Sequence, residues 1–149
     1  MRILIGVDDS PHSDAAVEFV RKLPWPADTE VIVASSVRPI VAVYSEMYVP
    51  AAAQAGDLLE DQIRFHQELV SRDELKLKEA GLRTEARVLQ GDPRESLIEA
   101  AKTERADLLV VGSHGRTGLA RVLMGNVAAH IVSHAPCNVL VVKLGGRLA

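Results

Sequence analysis

The 149 residues contain one cysteine, Cys137. No intramolecular disulfide can form, which fits a reducing compartment and sets the cytoplasm as the expected location. Basic excess is also missing. Lys and Arg number 17 against 20 Asp and Glu, a net charge of −3. With no run of cationic residues, the chain lacks the electrostatic footprint of a nucleic-acid or anionic-membrane binder. The N-terminus turns acidic at Asp8, too early for a secretory leader. Val122 to Val142 carries no Asp, Glu, Lys or Arg. Gly125, Asn126, His130, His134, Pro136 and Asn138 interrupt it, so helix–turn–strand is expected there rather than a membrane span. Internal repeats, low-complexity tracts and linkers are absent, and one domain over residues 1–149 is expected.

Dedicated catalysis is not indicated. The sequence offers no Ser–His–Asp order, paired carboxylates or metal cluster. His130 and His134 stand four apart on one helix, but no Glu or third ligand accompanies them, and they are read as surface residues rather than a zinc pair. Cys137 reads as a small hydrophobe. Trp25, between Pro24 and Pro26, reads as a packing plug.

What is present is an alternation of apolar runs and helical patterns. Ile3–Val7, Val31–Ala34, Leu108–Val111 and Val139–Val142 read as buried strands, and Arg83–Leu89 alternates as a half-exposed one. Ser10 and Pro11 open a helix whose stripe is Ala15, Ala16, Phe19, Val20 and Leu23. The segment Arg38–Gly56 reads as a long mobile loop. A helix from about Asp57 to Ala80 follows, with Leu58, Leu59, Ile63, Leu69 and Val70 inward and Gly81 as its stop. Asp92-Pro93-Arg94-Glu95 resembles a capping box before a helix carrying Leu97, Ile98 and Ala101. Strand and helix in alternation imply a parallel α/β sheet covered on both faces. The last strand is apolar on both faces, with no Lys or Pro to guard an edge. A second copy pairing along it would provide cover.

The densest chemical signal follows the fourth strand: Gly112-Ser113-His114-Gly115-Arg116-Thr117-Gly118, then Gly125-Asn126. Glycine permits close backbone approach to an anion, and a helix start offers N–H groups. In open α/β sheets ligands bind where strand order reverses, which sets Val7-Asp8-Asp9-Ser10 across from this loop. The motif lacks the Lys of a Walker loop and the tight three-glycine dinucleotide fingerprint. Asp8 is read as a ligand residue, with a turn cap as the structural alternative. Asp9 and Ser10 read as helix-starting residues. His114 reads as a phosphate contact or an outward loop residue, and Arg116 carries a fork suited to an anion.

The set Ile5-Gly6-Val7-Asp8-Asp9-Ser10, Gly91-Asp92-Pro93, Asp107 to Gly115, Arg116 to Leu119, Gly125 and Pro136 to Val142, in this order, resembles the universal stress protein family over essentially the whole chain. The resemblance implies a five-stranded Rossmann-like fold, strand order 3-2-1-4-5, and a homodimer through the last strand. In ATP-binding members the glycine loop holds the phosphates. By motif position Gly112, Gly115, Gly125 and Asn126 would line them, with the Val127 N–H adding a donor. Asp8 would sit near the ribose and any Mg²⁺, and Ser36 would offer backbone groups to adenine. The chain departs from the pattern in two places. Asn126 stands where Ser or Thr is usual, and Asn138 where Pro is common. An asparagine there favours helix capping, and its amide can donate to phosphate.

Two readings stand at this level. One is an ATP-binding stress-response regulator or sensor with Mg²⁺ beside the nucleotide and at most slow hydrolysis. The other is a dimeric interaction module of the same fold that binds no ATP. An enzyme of the wider adenine-nucleotide α-hydrolase-like group is the weaker third.

Overall fold

Each apolar run becomes a strand and each amphipathic stretch between them a helix. The computed structural model describes residues 1–38, 50–115 and 124–145, with backbone alone over 50–55. Its order is β1 (Arg2–Gly6), α1 (Pro11–Lys22), β2 (Glu30–Val37), α2 (Pro50–Glu79), β3 (Arg83–Gln90), α3 (Pro93–Thr103), β4 (Leu108–Gly112), α4 (Asn126–His134) and β5 (Asn138–Val142). The strands form one sheet in the order β3-β2-β1-β4-β5, and every pairing is parallel. This is the expected architecture and strand order.

Side-chain alternation along the central strands builds two cores. Ile3, Ile5, Val31, Val33 and Val110 face Val17 and Val20 of α1 and Leu69, Val70 and Leu77 of α2. Leu4, Ile32, Leu109 and Val111 face Leu97 and Ala101 of α3 and Ala128 and Ile131 of α4. β1 and β4 are apolar on both faces because helices cover both. At the flank, β3 stays half exposed, as its alternating sequence requires.

Local signals start and stop the helices. Ser10 caps α1 by accepting the Ser13 N–H at 3.2 Å, with Pro11 in the first turn. Asp92 caps α3 by accepting the Arg94 N–H at 2.9 Å, with Pro93 following. Past α2, Gly81 adopts φ +86° and its N–H donates to Lys78 C=O, while the Leu82 N–H reaches back to Leu77 C=O. Only a residue at ease in the left-handed region closes a helix this way.

Two expectations are corrected along α2. The helix begins at Pro50, ahead of Asp57, so the end of the expected loop is helical. Pro at a first helical turn and the alanines after it are strong helix starters, although without periodicity they look like a loop tip. The remainder of that expected loop, 39–49, lies outside the described residues. Leu58, expected inward, is 54% exposed. The buried stripe of α2 is His66, Leu69, Val70, Asp73 and Leu77, two of them polar. The uncharged stretch before Val142 resolves into α4, a turn and β5 where it is described. Among the described residues no helix is long and apolar enough to cross a membrane.

Candidate functional site

Parallel pairing sends the C-terminal ends of β1, β2 and β4 to the same edge of the sheet, where the strand order reverses between β1 and β4. An open cleft of about 550 Å³ lies there. That size suits a small-molecule ligand.

The β1 side is built around Asp8. Its N–H donates to Ser13 Oγ at 3.0 Å, and its Oδ1 accepts the Ser10 hydroxyl at 2.5 Å. Ser10 thus caps α1 and holds the Asp8 carboxylate with one group. The other oxygen, Oδ2, faces Gly115: a Cβ built on Gly115 would lie 2.7 Å from it. The expectation that Asp8 meets the glycine loop across the switch point is met by this contact. Ser10 is the cap of α1, the structural role expected of it, whereas Asp9 is exposed and takes no part in the cap.

On the β4 side the loop is pinched at its base. The Gly125 N–H donates to Ser113 C=O at 2.8 Å, bringing α4 back beside the end of β4. A Cβ on Gly125 would sit 3.1 Å from His114 Cα. Gly112 is tighter still: a Cβ there would lie 2.7 Å from the carbonyl carbon and oxygen of His12. Buried Ser113 has its Oγ 3.2 Å from Nδ1 of both His12 and His114, whose rings are 5.0 Å apart. The first intrahelical bond of α4 runs from Ala129 N–H to Gly125 C=O. The N–H groups of Asn126, Val127 and Ala128 therefore have no intrahelical partner, the arrangement that attracts anions.

Gly125, not Asn126, occupies the N-cap of α4, and Asn126 is the first helical residue with an exposed side chain. Asn126 is thus not the cap that its residue type suggests.

The third side comes from β2 and α2. Ser36 lines the cleft, with its hydroxyl donating to Gly91 C=O at 2.9 Å and accepting from Ser96 Oγ at 2.8 Å. Arg38 also reaches the rim and pairs with Asp92 Oδ2 at 3.0 Å. The Arg94 guanidinium, with a smaller contribution from Arg38, holds the Asp92 carboxyl at about 2. Ser35 and His66 are both buried. Ser35 Oγ lies 2.7 Å from Val7 C=O and 2.7 Å from His66 Nδ1. The carbonyl can only accept, so the single Ser35 proton goes to it, and His66 Nδ1 must carry the proton that reaches Ser35.

Of the sequence-expected site residues, Asp8, Ser36, Gly112, His114, Gly115, Gly125 and Val127 line one cleft. Asn126 adjoins it at the helix start. Arg116 lies outside the described residues. Sequence reasoning missed the α2 wall, Leu58, Gln62, Phe65 and His66, together with Ser13 of α1. The spacing 58, 62, 65, 66 is helical and visible in the sequence, but it cannot say whether a stripe faces a core or a cleft. A further correction concerns His130. Packing of α3 on α4 brings Glu95 Oε1 within 2.9 Å of His130 Nε2, so an acidic partner does accompany the pair. His134 stacks on His130 at 4.2 Å, and among the described residues no cluster of three such groups could hold a metal.

The chain is similar to proteins of known family. The model for the universal stress protein family matches residues 1–143. Universal stress protein MJ0531 of Methanocaldococcus jannaschii is 32% identical, the match covering 95% of this chain and 81% of that protein. Among solved structures, the hypothetical protein MJ0577 superposes with a TM-score of 0.83 at 23% identity, covering 95% of this chain and 94% of the other. An Arabidopsis thaliana family member solved with AMP bound gives 0.68 at 23%, covering 96% and 90%. A universal stress protein solved in complex with cAMP gives 0.62 at 26%, covering 97% and 98%.

Proposed function

Because the chain belongs to the universal stress protein family, we propose that its cleft binds an adenine nucleotide, ATP by preference, and that the protein is a cytoplasmic regulator or sensor whose loops respond to that ligand. The observation that carries this reading is the mixed lining of the cleft. The polar Asp8, Ser13 and His114, the glycines Gly112 and Gly115 and the apolar Phe65 and Leu97 all border it, and the start of α4 reaches it through Gly125 and Val127. A ligand with an anionic tail and a flat apolar head complements such a lining. The AMP and cAMP held by two structural relatives support the same class.

In this reading the N–H groups of residues 126–128 receive the phosphates, and Gly112, Gly115 and Gly125 allow the close approach. His114 of the cleft lining stands near the anion, Arg116 would join it by motif position alone, and the Ser36 backbone serves the base. Mg²⁺ takes few protein ligands and completes its shell with phosphate oxygens and water. Asp8 fits that demand: Oδ1 is engaged by Ser10 while Oδ2 faces the glycine loop. The ion would neutralise phosphate charge. The nucleotide would gain orientation more than reactivity here, consistent with at most slow hydrolysis.

Calorimetric titration with Mg-ATP tests this. Wild type should bind, and Gly115→Ala should bind at least about tenfold more weakly, equivalent to ~1.4 kcal/mol, because the added methyl displaces Asp8 Oδ2. Absence of binding by wild type at millimolar Mg-ATP would overturn the proposal.

The second reading, a dimeric interaction module without nucleotide, draws on β5. Among the described residues this strand pairs with β4 alone and ends the sheet. Pairing of two copies along it is part of both readings. Native mass spectrometry of the purified protein separates them, since a retained adenine nucleotide favours the first.

A further inference from the structure

Aromatic side chains make up only 3% of the chain, yet one of them is held at the cleft with its surface open. Phe65 lines the cleft and is 42% exposed. It is not loosely placed. Its ring meets the neighbouring His66 ring edge to face, centroids 5.5 Å apart and planes at 87°. His66 is itself buried and tied through Ser35 to Val7 C=O, each step 2.7 Å. Val7 precedes Asp8, so the aromatic wall on α2 and the Asp8 carboxylate are both tied to the two residues that follow β1. Two turns earlier on the same helix Leu58, 54% exposed, lines the cleft as well, and Gln62 lies between them. Leu58 and Phe65 thus give the cleft an apolar face on α2, in the same cavity as Asp8 and the glycines Gly112, Gly115 and Gly125.

We propose that Phe65, steadied by the buried His66–Ser35 pair, is the stacking platform for the base of the bound nucleotide and makes the cleft select a nucleotide over a bare polyphosphate. The inference rests on the nucleotide reading above and adds the residue that discriminates. A flat π-face accepts any aromatic heterocycle by stacking. A side chain already held in place loses little freedom when the base arrives. Gln62, whose amide both donates and accepts, stands one turn away, within the same wall as the stacked base.

The test compares wild type, Phe65→Ala and Phe65→Trp by calorimetry, with Mg-ATP and Mg-tripolyphosphate as probes. Phe65→Ala should weaken Mg-ATP about 5- to 100-fold and leave the tripolyphosphate isotherm as in wild type. Phe65→Trp should keep Mg-ATP affinity, and the introduced indole should be quenched by ATP and not by tripolyphosphate, against the Trp25 background of wild type. If Phe65→Ala binds Mg-ATP as wild type does, the stacking role is overturned and the nucleotide reading stands. Equal losses for both probes would mark Phe65 as merely structural and overturn the role too. Failure of wild type to bind Mg-ATP removes both.

Discussion

Two glycines separate fold from function at the scale of single residues. At Gly115 the obstacle to a side chain is the tip of Asp8, a group that can swing aside. At Gly112 the obstacle is the His12 backbone, at 2.7 Å, which cannot move without shifting α1 off β4. Gly112→Ala should therefore destabilise the whole domain by about 1–3 kcal/mol, read as a lower urea midpoint, while Gly115→Ala keeps its midpoint near wild type. Equal midpoints for Gly112→Ala and wild type would show that the helix yields at no cost. Gly6 lies between these cases, since a Cβ there would meet the Leu97 Cδ1 at 2.8 Å, a side-chain end able to repack. The asparagine at the α4 start illustrates what sequence alone leaves open. Its residue type suggested a cap, but the pinch between Gly125 and Ser113 hands that position to the glycine.

Helix ends carry the acid response of the elements. Asp92 at the start of α3 is held at about 2, below its ordinary 3.8, chiefly by the Arg94 guanidinium. Glu18 on α1 is held at about 2, below 4.5, first by Arg21 and then by Lys22. A carboxyl lowered on folding contributes stability above its unfolded value and loses it as pH falls through its folded value. Urea midpoints should thus fall between about pH 5 and pH 2, and a Glu18→Gln/Asp92→Asn variant should fall less over that window. Parallel curves for the two proteins would contradict these assignments. Both caps were legible because Ser, Asp and Pro act on the backbone within three residues. The strands were legible from their apolar runs, and the sheet order followed from the family resemblance. The α2 wall was not legible. Its upper half hides His66 and Asp73 in an inward stripe that an apolar count passes over, and its lower half turns Leu58 and Phe65 to the cleft. Which way a helix faces depends on partners distant in sequence. The same holds for the Glu95–His130 contact, made only when α3 packs on α4.

On the scale of the whole molecule the two ends of the sheet are chemically unlike. Where β1, β2 and β3 begin, Arg2 pairs with Glu30 and Glu104 and Arg83 with Glu30, and farther along β3 Arg87 pairs with Glu85 and Glu104. The opposite end keeps its polar groups turned to the cleft. Along the flank, β5 offers an apolar edge that a second copy would complete, so light scattering after size exclusion should give twice the 16.1 kDa chain mass. A single-chain mass would remove the edge pairing. The pinch from Gly125 N–H to Ser113 C=O has a consequence of its own. It is a contact of backbone with backbone, so a change of side chain at Ser113 or Asn126 leaves the start of α4 anchored to the end of β4.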